Sequence, residues 1–205
     1  MIAFGTVGAV VVAVGGPFIK GWWKKPNLKA LKTDDHGPMW TSLPYFNGKG
    51  SGPDIFQCWL RFPIANEGRL AAKGTMVLVS KVVLPVAGRL PPTRELKWGD
   101  VEANSLTIPT NAARLVDIIQ VVHLNDGTNG VFLCLYPYSN YDRVLSDQSP
   151  LWMGKHEGGE YRIEIAITAN NAKTERYLIT FRLNDMSNLA TCKTELANAT
   201  LSKIN

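Results

Sequence analysis

From residue 56 onward the chain alternates between apolar and polar positions in short runs broken by turn residues. Phe56, Cys58, Leu60, Phe62 and Ile64 alternate with Gln57, Trp59, Arg61 and Pro63. Period two over nine residues predicts a strand. Pro63 has no N–H to give a ladder, so the strand is expected at a sheet edge or bulged near its end. Asn66-Glu67-Gly68 predicts a turn, and the more uniformly apolar Thr75–Leu84 predicts a strand buried on both faces. Pro85, Gly88, Pro91 and Pro92 make 85–94 an irregular crossing, followed by short strands at Leu96-Lys97-Trp98 and Ser105–Pro109. Leu115–Leu124 and Val131–Tyr136 flank a turn-dense stretch at 125–130 and read as a hairpin. A second hairpin joins Tyr161, Ile163, Ile165 and Ile167 to Tyr177, Ile179, Phe181 and Leu183 across Asn170-Asn171-Ala172-Lys173, with one face on a core.

A short strand is expected at 28–32, loops at 34–53 and 137–159, and helical propensity with a thin apolar stripe in the tail from Asn188 to Asn205. Seven to nine short strands without an intervening long helical period predict an all-β, antiparallel β-sandwich; a partly closed barrel is the alternative.

The N-terminus follows a different pattern. No charge occurs from Ile2 to Ile19, and the block is apolar on every side rather than along one stripe. Eighteen helical residues cover about 27 Å, and extension to Trp23 gives about 33 Å, which brackets a bilayer's hydrocarbon thickness. Residues 2–23 are therefore expected to form one transmembrane helix, with Trp22, Trp23, Lys20, Lys24 and Lys25 at the membrane interface. All flanking positive charge lies C-terminal to the block. That predicts a single-pass protein of the inner (cell) membrane, its N-terminus outside and its C-terminal domain cytoplasmic. A signal peptide would carry its charge before the apolar stretch, and a buried core segment is the other reading. The expected organisation is transmembrane helix 2–23, basic juxtamembrane segment and loop 24–53, β-sandwich 54–185 and C-terminal tail 186–205. Gly5 and Gly8 offer a small-residue pair through which such a helix could form a homo-oligomer in the lipid bilayer.

Charge adds a localised asymmetry. The net charge of +5 comes from Lys20, Lys24, Lys25, Lys29 and Lys32; of 22 basic residues these five precede Asp34, leaving 17 against 17 acidic ones. A balanced domain lacks the overall basic excess of a nucleic-acid binder, so no nucleic-acid partner is expected. Cys58, Cys134 and Cys192 are odd in number and widely spaced, which suits reduced packing cysteines better than a disulfide framework.

Candidate chemistry is sparse. His36, His123 and His156 lack partners at metal-ligand spacing, Gly48-Lys49-Gly50-Ser51 lacks the rest of a phosphate loop, and Asp34, Asp35 and Asp54 lack a calcium-loop pattern. No catalytic residue, metal or cofactor is expected. The best candidate binding rim is Tyr136, Tyr138 and Tyr141, because tyrosine anchors interfaces.

Ile64-Ala65-Asn66-Glu67-Gly68-Arg69-Leu70-Ala71-Ala72-Lys73 resembles the strand–Asn-x-Gly–strand signature of immunoglobulin-like sandwich modules. With Leu96-Lys97-Trp98, Arg114-Leu115-Val116-Asp117 and Tyr161-Arg162-Ile163-Glu164-Ile165, residues 20–183 resemble a group of uncharacterised bacterial single-pass membrane proteins with an immunoglobulin-like β-sandwich domain. The resemblance implies a fold and no activity. The expected function is a membrane-anchored, non-catalytic binding or scaffold module for an unknown protein partner. One alternative is a structural subunit of an envelope or phage-derived assembly. The other is an enzyme or ligand-binding protein with a loop pocket drawing on His36, Asp126 and His156.

Overall fold

The computed structural model describes residues 24–32, 42–45, 55–83, 94–99, 101, 103–123, 129–136, 152–155, 158–185 and 188–205. Its strands are β1 (Leu28–Ala30), β2 (Ser42–Tyr45), β3 (Ile55–Asn66), β4 (Ala72–Val83), β5 (Arg94–Glu95), β6 (Leu106–Ile108), β7 (Ala112–His123), β8 (Asn129–Leu133), β9 (Trp152–Lys155), β10 (Gly159–Ala169), β11 (Ala172–Leu183) and β12 (Thr200–Ile204). One helix, α1 (Leu189–Ala197), lies between β11 and β12.

The alternation does what its period dictates. Cys58, Leu60, Phe62 and Ile64 of β3 turn into a core shared with Val77 and Val79 of β4, Ile163, Ile165 and Ile167 of β10, and Ile179, Phe181 and Leu183 of β11. Two six-stranded antiparallel sheets supply that core. The first runs β1-β3-β7-β8-β9 with β2 also on β3; the second runs β12-β11-β10-β4-β5 with β6 also on β4. The all-β, antiparallel expectation holds.

The two sheets are tied along one side. Arg94 and Glu95 pair with Val79 and Leu78 of β4. Within the same short segment, Lys97 N–H donates to the Cys134 carbonyl (2.8 Å), Asp117 N–H to the Lys97 carbonyl (3.0 Å) and Gly99 N–H to the Leu115 carbonyl (2.9 Å). Leu96 and Trp98, fully buried, point into the core between these bonds.

Asn66 holds the β3–β4 connection. Its side chain is fully buried. Its Oδ1 accepts from the N–H groups of Asn27 (3.1 Å) and Gly68 (3.0 Å), and its Nδ2 donates to the carbonyls of Leu70 (2.7 Å) and Ile108 (3.1 Å). Every side-chain hydrogen-bonding atom is thus used, as a buried amide requires. Gly68 must be small because a Cβ there would run into the backbone of Lys25 and Asn27.

Several expectations are corrected. Among the described residues no helix is long and apolar enough to cross a membrane. The nine-residue α1 is the one helix among them. With no such helix, the single-pass inner-membrane assignment is not supported and is withdrawn; the expected span itself, residues 2–23 with Lys20, Trp22 and Trp23, lies outside the described residues. Lys24 and Lys25 are exposed, but the chain beside them belongs to the sandwich: the Lys25 carbonyl accepts from Arg69 N–H (3.3 Å) and Pro26 is buried.

β3 is not an edge strand, since β7 pairs with one side of it and β1 and β2 with the other. Pro63 is tolerated because its carbonyl faces the β1 side, where Leu31 N–H meets it (2.9 Å), so its missing N–H costs the β7 ladder nothing. The bulge expected near the strand's end at Pro63 is absent there, where the register is regular; an irregularity lies mid-strand, between Leu60 and Arg61. β4 is buried on one face only; its outward side is partly open, with Val83 45% exposed. β2 and β9 form within stretches that read as loop, and β12 within the tail that read as helical throughout.

Candidate functional site

Because Cys58, Leu60, Phe62 and Ile64 of β3 enter the core, Trp59 and Arg61 stand on the opposite face of the first sheet. In register with them on β7 are Gln120 and Asp117. The bulge after Leu60 inserts an extra β7 residue and re-aims the chain there. Arg61 Nε and Asp117 Oδ1 lie 2.6 Å apart, with the side chains 21% and 6% exposed. The guanidinium carbon sits 5.6 Å from the centre of the Trp59 ring, within cation–π range. A carboxylate on one side and an indole on the other fix the direction of Arg61.

Beside this pair opens a cleft of about 260 Å³ lined by Arg61, Gly99, Ala113, Arg114 and Leu115. Gly99 leaves the approach to Asp117 open; a Cβ there would stand 3.1 Å from Asp117 Oδ1. Lys97, flanked by the inward-facing Leu96 and Trp98, belongs to the same outer side. Among the described residues here, Arg61, Arg114 and Lys97 outnumber Asp117. Cys134 lies within the field of this cluster. Burial pushes its thiol well up, the Asp117 carboxylate adds to that, and the Arg61 and Lys97 charges oppose it only in part. A thiol held protonated in this way is a poor nucleophile.

The tyrosine rim is only partly within view. Tyr136 is half-buried and its backbone N–H donates to the Glu95 carbonyl (3.0 Å), while Tyr138 and Tyr141 lie outside the described residues. His36, Asp126 and His156 also lie outside them. Among the described residues no group of three or more His, Cys, Asp or Glu is placed to hold a metal ion. Arg61, Asp117 and Arg114 were not singled out by the sequence. The one available signal was a charge, Asp117, embedded in the apolar run from Leu115 to Val122.

No known protein family, curated protein or solved structure matches this chain. The likeness to membrane-anchored immunoglobulin-like proteins therefore gains nothing from comparison. Function has to be argued from side-chain geometry.

Proposed function

We propose that this chain is a non-catalytic β-sandwich binding module, and that its ligand is an acidic side chain of a partner protein, seated in the Arg61–Arg114 cleft. The observation that supports this most is the preorganised guanidinium of Arg61, set by Asp117 and Trp59 at the wall of a cleft that Arg114 also lines. Arginine presents a planar fork that matches a carboxylate, and a fixed fork loses less freedom on binding. At about 260 Å³ the cleft is below the usual size of a small-molecule pocket and fits one anionic group.

The test is an amide-shift titration with a glutamate-rich peptide, with acetate and inorganic phosphate as separate arms. Binding should move the signals of Gly99 and 113–115, weaken as salt rises, and fall at least severalfold in Arg114→Ala, whose side chain is exposed. Shifts that map elsewhere, or an Arg114→Ala variant that binds the peptide as well as the parent, would refute the assignment. A response to phosphate but not to the peptide would replace the acidic partner with a small anion.

A further inference from the structure

Helix α1 packs against both sheets, on β11 of one and β3 of the other. Its apolar stripe is narrow: Cys192 and Leu196, one turn apart, are fully buried. Cys192 meets Cys58 of β3, and the two thiols hydrogen-bond to each other. Both cysteines have zero exposure and both are free.

We propose that Cys58 and Cys192 are a modification site, a two-thiol pair that a hydroperoxide converts into a disulfide fastening α1 to β3. Sequence separation hides the pair, since one cysteine belongs to a central strand and the other to the C-terminal helix. Closure would form a sulfur–sulfur bond of about 2.05 Å between side chains that already share a hydrogen bond.

Their roles differ. The hydrogen bond from Cys192 lowers the Cys58 pKa, with Lys193 adding to this and burial opposing it. The same hydrogen bond raises Cys192, as do burial and the negative charges of Cys58, Glu195 and Asp185. In the proposed sequence of steps Cys58 reacts first and Cys192 resolves it. Both thiols have zero exposure, so oxidant reaches them through a local opening of the structure around them.

In the first step Cys58 sulfur bonds to one peroxide oxygen as the O–O bond breaks; the departing oxygen leaves as water or the corresponding alcohol, and Cys58 becomes a sulfenic acid. Cys192 sulfur then attacks Cys58 sulfur, the S–O bond breaks, and the oxygen leaves as water with the Cys192 proton. Two thiols lose two electrons in all and one peroxide gains them.

The experiment treats the full chain with hydrogen peroxide and maps its peptides without reduction. A Cys58–Cys192 linked peptide that a dithiol reductant reverses is expected, together with a rise in Tm on the order of 5–10 °C. Cys134→Ala should retain both effects and Cys192→Ala should lose both. If Cys192→Ala does not fold, the mapping of the parent chain decides alone. Sulfinic acid at either cysteine without the link, a link through Cys134, or a fully reduced pair after prolonged treatment would each overturn the proposal.

Discussion

Tyr161 shows how one residue's surroundings become a property of the whole chain. It is 3% exposed and stacks on Phe181, the ring centres 5.0 Å apart and the planes 2° from parallel. Burial pushes its phenol up from 10.0 to about 12. The folded state therefore holds this proton more tightly than the unfolded chain does. The stabilisation is complete below about pH 10 and is lost as pH rises through 12. Relative to Tyr161→Phe, the parent should lose about 2 kcal/mol of stability between pH 10 and 12, measured by urea denaturation across that range. Parallel pH profiles for the two proteins would show that the phenol ionises freely in the fold. Asn66 illustrates how far such a residue was legible. Asn-x-Gly spacing marks it as a turn residue, yet two of the groups it bonds, Asn27 and Ile108, are 39 and 42 positions away. Local pattern carries no trace of them. Arg61 was invisible for the same reason: it looks like an ordinary outward-facing charge until the register sets it opposite Asp117.

Elements were legible in proportion to their length and the strictness of their alternation. β10 and β11 pair over almost their whole length, from Gly159↔Leu183 to Ala169↔Ala172, in the register the alternation required. β2 carries Pro44 among only four residues, and β12 places Ser202 and Lys203 in five; neither has enough period to distinguish strand from loop. α1 is an element that its tertiary setting holds in place. Asn188 caps it, with Oδ1 accepting from the N–H groups of Ala190 (2.9 Å) and Thr191 (3.2 Å). Glu195 anchors it to the end of β11, accepting from Asn184 N–H (2.9 Å) and Asn184 Nδ2 (2.7 Å). Losing the cap should cost about 1 kcal/mol. Asn188→Ala is expected to lower the unfolding free energy from urea denaturation by that amount and to speed amide exchange from 190 to 199, leaving β10 protected up to global unfolding. Unchanged exchange in α1 would mean that the cap contributes nothing and that packing of Cys192 and Leu196 alone sets the helix.

At the scale of the molecule the question is whether two sheets unfold as one. A sandwich whose layers meet only through side chains can loosen at either layer. Here the segment from Arg94 to Gly99 belongs to both, through β4 on one side and through Leu115, Asp117 and Cys134 on the other. Trp98 lies at its centre, fully buried and among the largest side chains in the core. Its indole N–H finds no acceptor among the described residues, so the residue acts by volume. Trp98→Ala should then cost about 4 kcal/mol, from lost burial and the cavity left behind. Trp98→Phe should cost much less, because it keeps most of the volume and removes an unsatisfied donor. The distribution of the loss tests the coupling. Because the segment joins the layers, amide protection in Trp98→Ala should fall together in β7 and β8 of the first sheet and in β4 and β10 of the second, with fluorescence and far-UV transitions still coincident. Loss confined to β7 and β8 would mean that the crossing segment is only a lining of the first sheet and that the two layers fold with separate stabilities.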